Sequence, residues 1–391
     1  MPVWVFLAGI FFVGVVLAEV LRLSRFLIKG LQMELRVETS GRFDLPGTPP
    51  FVSVIIPAKD EEQNIEQTVR SILDSDYHNF EIVLTDDRSR DNTLDIMEAL
   101  AREDSRIYVL VLGDLPHNWT GKTHALFKGA EQVSGEILVF SDADASWSRD
   151  VLSRSLEIFM SENLDMLSLL PGFTKRGFSE YVVHPHLALG ISSFYPLTDV
   201  NDQAKSAALA SGCFIMMTKE YYLKVGTWER FRNEITEDVA MSKAVKTMGG
   251  KLKVLRAGNL VRTMPFKSVS AACSYWRRTL YGSLEKSVPK IIRLAVNYIS
   301  LSFLCVLFVL SLLVLLCVGM VGPELALLAI STLTMAAVMI PFSIFLKEEQ
   351  INRLYGLAIP LGLVISAWIA LSTVFTILSK KGIEWRGTLY K

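Results

Sequence analysis

The distribution of apolar residues along this chain constrains its fold more than any other feature. Residues 3–21 form an apolar run broken only by Glu19, and Arg22, Arg25 and Lys29 follow it. Toward the other end, three runs at about 297–320, 324–346 and 354–378 are each long enough to cross a bilayer as helices. Between them, roughly residues 50–265 have the mixed polarity and charge density of a water-facing domain, set off by the segment Leu45-Pro46-Gly47-Thr48-Pro49-Pro50. The apolar ends account for a hydrophobic content of 51% and a mean hydropathy of +0.35, high for a soluble protein.

A cleaved signal would carry its charges ahead of the apolar run and a small-residue site behind it. Here the basic residues follow, so residues 1–30 read as an uncleaved transmembrane anchor. By the positive-inside rule they place the 50–265 stretch in the cytoplasm, and in a bacterium the membrane is the inner one. Lys380, Lys381, Arg386 and Lys391 outnumber Glu384 in the tail. Three spans starting from the cytoplasm would put that tail outside, against the same rule, unless one run is re-entrant or interfacial. Pro341 and Pro360 mark places for such a break, and the span count stays open.

Within 50–265, short apolar strands alternate with amphipathic helices. Strands are expected at Val52–Pro57, Phe80–Thr85, Ile107–Leu112 and Ile137–Ser141, with helices over about 61–75, 92–103 and 122–133. This is the signature of βαβ units and a mainly parallel sheet covered on both faces. Ligands of such sheets bind beyond the carboxyl ends of the strands.

Acidic clusters stand at those ends. The second strand runs into Asp86 and Asp87, the fourth into Asp142 and Asp144, and Glu237 and Asp238 open a later helix. Residues two apart in extended chain share a face, so Asp142 and Asp144 suit a hard divalent cation bound through oxygen. An Asp-x-Asp pair alone is commoner as a turn or as a helix cap, here of a helix starting near Ser148; the other two clusters turn the reading toward a metal. Asp86 and Asp87 suit recognition of a nucleobase N–H or a ribose hydroxyl, although Asp87 could instead belong to the turn into the helix begun by Asp91 or Asn92. Asp238 suits a general base, with Glu237 beside it able to shift its pKa; first-turn charge matching is the competing explanation.

Taken together, these segments resemble family 2 glycosyltransferases. Val52–Ile65 resembles the family's opening strand, including Pro57, and Asp86–Thr93 its nucleotide motif. Asp142-Ala143-Asp144 resembles its metal motif, Ser211–Met217 its acceptor-side strand, and Thr236–Asp238 with Gly249-Gly250 its base-bearing helix. The resemblance covers roughly residues 50–260 in the family's order. It implies an α/β GT-A fold (a nucleotide-diphospho-sugar transferase with a Rossmann-like mixed sheet), here between N- and C-terminal transmembrane helices. It further implies a nucleotide-diphosphate sugar donor, expected to be a UDP-sugar, Mg²⁺ or Mn²⁺, and inversion at the anomeric carbon. Donor-binding residues would be Pro57, Asp86, Asp87, Lys122 and Asp142; metal ligands Asp142 and Asp144; catalytic residues Asp238 and Glu237.

Trp119-Thr120-Gly121-Lys122-Thr123 invites a phosphate-loop reading, but Pro116 occupies the place of its first glycine. It resembles instead the family's segment before the third helix, with Lys122 either facing the donor phosphates or solvated. Residues 266–295 mix Tyr275, Trp276 and Tyr281 with Arg277, Arg278 and Lys286 and suit an interfacial amphipathic segment, ahead of membrane segments at 296–380. Trp276, Arg277 and Arg278 are the residues that would meet the diphosphate or the interface. The Gln-x-x-Arg-Trp motif of processive synthases is missing there, which argues against chain extension. The layout and the tail Ile383–Tyr390 resemble carotenoid, hopanoid and ceramide-type lipid glycosyltransferases, so a lipid or terpenoid hydroxyl is the expected acceptor. A polyprenyl-phosphate acceptor is the alternative; a polysaccharide synthase or a non-catalytic membrane protein ranks lower. His184 and His186 have no third metal ligand in view, and their stretch, Phe178–Tyr195, suits a lipid channel. Cys213, Cys273, Cys305 and Cys317 show neither disulfide nor metal spacing, and a net charge of +0 gives no pull toward nucleic acid.

Overall fold

The computed structural model describes residues 49–173, 177–266, 268–318, 351–385 and 388–390, with isolated positions at 14, 18, 21 and between 332 and 347. The expected N-terminal anchor with its basic flank, and the apolar run at 324–346, therefore lie almost wholly outside the described residues. In chain order the elements are β1 (Val52–Ala58), α1 (Ile65–Leu73), β2 (Phe80–Asp86), α2 (Thr93–Glu103), β3 (Ile107–Val111), α3 (Gly121–Glu131), β4 (Ile137–Phe140), β5 (Ala145–Trp147), α4 (Val151–Ser161) and β6 (Met166–Phe173). There follow α5 (His184–Ser192), α6 (Leu197–Val200), β7 (Ile215–Thr218), α7 (Lys219–Val225), α8 (Glu237–Thr247), β8 (Leu252–Thr263), α9 (Val269–Ser283), α10 (Val288–Val318), α11 (Ile359–Leu378), β9 (Ile383–Trp385) and β10 (Thr388–Tyr390).

The chain divides into two compact units. One is drawn from Met33–Lys175 and Leu197–Pro265; the other takes in Arg176–Pro196 and Phe266–Lys391, with Met1–Gln32. Residues 176–196, expected inside a continuous 50–265 domain, thus belong with the C-terminal elements.

The first unit is built on an eight-stranded sheet of order β3-β2-β1-β4-β7-β6-β8-β5. Strands β1, β2 and β4 are buried along almost their whole length, because helices cover both faces of a parallel sheet. Helix α1 shows how the pattern works: Ile65, Thr68, Val69 and Ile72 are buried at helical spacing. Full burial of each aliphatic contributes about 1.5–3 kcal/mol. Strand β1 pairs in parallel with β2 (Val52 opposite Phe80) and with β4 (Val52 opposite Ile137). Beyond β4 the sheet turns mixed. β7 runs antiparallel to both neighbours, β4 and β6, while β6 and β8 are parallel. An apolar run reads the same in either direction, so that reversal is invisible to local pattern.

Between Asp144 and the next helix stands β5, which pairs antiparallel with β8, Trp147 opposite Val261. Helix α4 then begins at Val151 with Asp150 at its N-cap. Asp142 and Asp144 are therefore not the cap of that helix.

The second unit is mainly helical, with β9 and β10 paired antiparallel. A π-helix, Ser179–Val183, runs into α5. Both oxygens of the buried Glu180 accept backbone N–H groups there, from Gly177 (2.8 Å) and Phe266 (2.8 Å). Helix α10 starts at Val288, so it crosses the boundary expected between an interfacial segment and the membrane runs. Among the described residues one helix, Leu354–Leu378, is long and apolar enough to cross a membrane.

Candidate active site

The site grows from the first turn of α3. Thr120 is extended and its Oγ1 accepts the N–H of Thr123 at 3.1 Å, a standard N-cap. The Thr120 N–H and the Thr123 hydroxyl both donate to the carbonyl of Arg232, at 2.7 and 2.9 Å. The chain leading to α8 is thereby tied to the start of α3. Across this junction Lys122 Nζ lies 2.6 Å from Asp142 Oδ1 and 2.6 Å from Glu237 Oε1.

Asp142 follows β4 directly. Ser141 Oγ donates to the carbonyl of Cys213 at 3.1 Å, and Cys213 Sγ lies 3.6 Å from Asp142 Oδ2. Burial, with Asp142 and Asp144 nearby, pushes the Cys213 thiol well above its usual pKa, so it stays an S–H donor. The stretch from 142 to 144 is not extended: the Asp142 carbonyl accepts the N–H of Ala145 at 3.3 Å, closing a turn. Ala143 faces the core, its carbonyl accepting from Thr68 Oγ1 at 2.7 Å, and the two half-buried aspartates flank it. The same-face argument for an extended pair is replaced by a turn that keeps both carboxylates off the core.

Gly212 sits at the centre. Its N–H donates to Asp238 Oδ2 at 3.0 Å. A Cβ there would stand 2.7 Å from Lys122 Nζ and 3.1 Å from Asp142 Oδ1, so any side chain must displace one of them. Asp238 Oδ1 accepts the N–H of Val239 at 2.8 Å. One oxygen thus serves its own helix start while the other reaches the turn before β7. Glu237 is buried, and Asp238 half-buried.

The second-strand pair adjoins the same helix start. A Cβ on Gly121 would stand 2.1 Å from Asp87 Oδ2. Asp87 Oδ1 accepts from Arg88 Nε (2.9 Å) and Nη2 (2.6 Å), and Arg88 adopts φ +59°, a left-handed conformation that costs a non-glycine residue about 1–2 kcal/mol. Asp91, not Asp87, serves the next helix, accepting the N–H groups of Glu62 and Thr93. Asp86 is 2% exposed; its Oδ2 accepts the N–H of Ser89 at 3.3 Å, and its Oδ1 has no partner. A buried carboxylate oxygen left unpaired is costly unless a ligand supplies the donor. Pro57 stands half-buried in β1 opposite Thr85 of β2.

Electrostatics follow from this crowding. Burial pushes Asp238 up to about 6, with Glu237 adding to the shift and Lys122 opposing it. Burial disfavours the charge on Lys122, yet Asp142, Glu237 and Asp238 outweigh it and hold the ammonium well above the usual lysine value. Among the described residues, no group of three or more His, Cys, Asp and Glu side chains is arranged to hold a metal ion alone. The donor chemistry still suits one. Asp142 and Asp144 are hard oxygen donors, Asp142 already holds a cationic group, and Mg²⁺ or Mn²⁺ usually completes its shell with substrate phosphates.

Sequence reasoning thus named residues that the fold brings to one place: Asp87, Lys122, Asp142, Glu237 and Asp238. It missed Arg88, although that residue adjoins the Asp pair, and it quoted Gly212 only as part of a strand. Trp276, Arg277 and Arg278 lie on α9 in the helical unit. Trp276, expected at an interface, is 4% exposed with its ring 5.2 Å from that of His184, so it is packed inside protein. Arg277 reaches Ser274 at 3.4 Å, and Arg278 lies 5.5 Å from the Tyr275 ring centroid. His186 is a packing residue too, its Nδ1 2.8 Å from the Val182 carbonyl and its ring stacked on Phe342.

Residues 53–226 match the family model described as Glycosyl transferase family 2. The 4,4'-diaponeurosporenoate glycosyltransferase of Staphylococcus haemolyticus is 25% identical over 207 residues, covering 50% of this chain and 52% of that one. The beta-monoglucosyldiacylglycerol synthase of Trichormus variabilis is 32% identical, covering 31% and 26% respectively. The undecaprenyl-phosphate 4-deoxy-4-formamido-L-arabinose transferase of Pseudomonas fluorescens is 39% identical, covering 24% and 28%. The chain therefore spans about half, or less, of the length of these curated relatives. Among solved structures, the Pyrobaculum calidifontis mannosyltransferase in complex with GDP-Man and Mn²⁺ shares the fold, with a TM-score of 0.50 at 16% identity over 94% of this chain and 96% of that one. The mixed GT-A-type sheet and the family match agree in marking residues 53–226 as similar to a glycosyl transferase family 2 domain.

Proposed function

We propose that this chain is a membrane-bound, metal-dependent, inverting glycosyltransferase. It moves a sugar from a nucleotide-diphosphate donor, by preference a UDP-sugar, to the hydroxyl of a membrane lipid or terpenoid. The observation that carries this reading is the junction at Lys122, where the acid after β4 and the acids opening α8 converge on one ammonium. In this reading the donor and acceptor sides meet at that ammonium.

Asp86, with its unpaired oxygen, accepts from the nucleobase or ribose, and Asp87, whose N–H donates to the Ala58 carbonyl, braces that position beside Gly121. Asp142 and Asp144 would hold Mg²⁺ or Mn²⁺, which when bound neutralises charge on the departing diphosphate. Asp238 takes the proton of the acceptor hydroxyl. A carboxyl group near pKa 6 is a stronger base than an ordinary aspartate and is still ionised at neutral pH. Glu237, paired to Lys122, keeps the base's surroundings negative.

The lipid acceptor is supported by the relatives named for diaponeurosporenoate and glucosyldiacylglycerol. The relative named for an undecaprenyl-phosphate substrate favours the alternative acceptor, a polyprenyl phosphate. Membrane attachment, with the sheet unit in the cytoplasm, is supported by the apolar helix Leu354–Leu378 and by the basic residues after the first apolar run. In this reading residues 1–30 anchor the chain, 50–265 carry the transferase, 266–295 approach the bilayer and 296–380 supply further membrane segments.

The test is to incubate membranes carrying the protein with labelled nucleotide-sugars and a lipid extract, then identify products by mass spectrometry. A glycosylated neutral lipid is expected. A labelled polyprenyl phosphate would select the alternative, and label confined to long polymer would overturn both.

A further inference from the structure

Lys122 does more than stand at a helix start. Its ammonium lies 2.6 Å from Asp142 Oδ1 and 2.6 Å from Glu237 Oε1. Gly212 closes a third side with no side chain, since a Cβ there would stand 2.7 Å from Nζ. Asp142 would be a metal ligand in the reading above, yet one of its oxygens is already engaged by a cation belonging to the protein. A divalent ion approaching Asp142 alone meets like charge at contact distance, and this repulsion is strong where water is partly excluded. A nucleoside diphosphate changes the balance. It brings negative charge of its own, offers the ammonium new oxygen partners and offers the metal further ligands.

We propose that Lys122 is a positioning residue that occupies Asp142 in place of the metal until a diphosphate arrives, so that metal and donor bind as a pair and metal does not bind first. This rests on the metal-dependent transferase reading. The same ammonium also contacts Glu237, so the exchange at Asp142 is felt at the residue next to the proposed base.

The experiment is a Mn²⁺ titration of the full chain in detergent, free Mn²⁺ being read by its paramagnetic resonance signal, without nucleotide and with UDP or GDP in separate arms. Wild type should bind Mn²⁺ weakly alone and at least about tenfold more tightly with the matching nucleotide. Lys122→Gln and Lys122→Met should each bind Mn²⁺ alone about tenfold or more tighter than wild type, so that the gain on adding nucleotide is smaller than in wild type. Lys122→Arg, which keeps the charge, should bind Mn²⁺ alone as weakly as wild type. A lysine that merely held the site together would do the reverse, its loss weakening the ion. Folding of each variant is checked by circular dichroism. Should the neutral variants not fold, wild type still decides, because equal Mn²⁺ affinity with and without nucleotide refutes the proposal. Folded neutral variants no tighter than wild type, alongside nucleotide-dependent binding by wild type, refute the role of Lys122 alone. If no protein binds Mn²⁺ even with nucleotide, the metal reading falls and takes this one with it.

Discussion

Replacing Asp238 by asparagine tests the proposed base. The change is less conservative than its shape suggests. Each carboxylate oxygen accepts one backbone N–H, from Gly212 at 3.0 Å and from Val239 at 2.8 Å. An asparagine has one carbonyl, so one of those N–H groups will face an amide NH₂ and lose its acceptor. A hydrogen bond to a charged group contributes about 1.5–3 kcal/mol, and relief of the buried charge beside Glu237 offsets part of that. The net loss of stability should be about 1–2 kcal/mol, too small to unfold a typical domain. Loss of general-base assistance should lower turnover by about 10²–10⁴-fold. Turnover and nucleotide affinity are measured together with a thermal melt, and affinity should change by less than about threefold.

The pH profile gives a second readout. With its pKa pushed up to about 6, Asp238 is mostly ionised at neutral pH, so wild-type turnover should fall as pH drops through about 6. The variant should lack that limb. Stability runs in the opposite direction. Because the folded-state pKa is raised, this group stabilises the fold below the usual aspartate range, and that contribution is lost as pH rises through about 6. Turnover of Asp238→Asn within about threefold of wild type, with the acid limb intact, would refute the assignment. Glu237→Gln would then be the next variant to make.

Other perturbations probe the remaining parts. Chelator should abolish transfer and added Mg²⁺ or Mn²⁺ restore it; full activity in excess chelator would remove Asp142 and Asp144 as ligands. Gly121→Ala puts a Cβ 2.1 Å from Asp87 Oδ2, so nucleotide affinity should fall about tenfold or more with the fold retained, as calorimetry would report. Asp86→Ala removes the unpaired buried oxygen, so it should weaken nucleotide binding by roughly ten- to a hundredfold while leaving the melting temperature near that of wild type; unchanged affinity would unseat Asp86 as a donor ligand. Ser105→Cys adds a thiol at an exposed position before β3, which an impermeant reagent should label only after cells are permeabilised; labelling of intact cells would reverse the proposed topology.

Much of the sheet unit was legible because its signals are local. Strands β1, β2 and β4 read as unbroken apolar runs since both their faces are covered, and α1 shows its buried stripe at helical spacing. The acidic motifs at the strand ends could be picked out because charge directly after a buried strand must be answered by something. The reversal of β7 and the three-residue β5 were not legible. Their partners, β4 with β6 and β8, come from distant parts of the chain, and strand direction leaves no mark on an apolar run. The turn at Asp142 likewise depends on Ala143 finding the core and Thr68. Lys122 is the sharpest case. Sequence allowed it to face phosphate or water equally, because a lysine at a helix start carries no record of its neighbours. Only the fold, by tying Thr120 and Thr123 to Arg232 and laying β7 beside β4, brings Asp142 and Glu237 to the same ammonium. Residue type and local pattern determine which groups can carry charge and which segments are buried. Which charges face one another, and the burial that raises the pKa of Asp238, are decided by contacts between segments far apart in the chain.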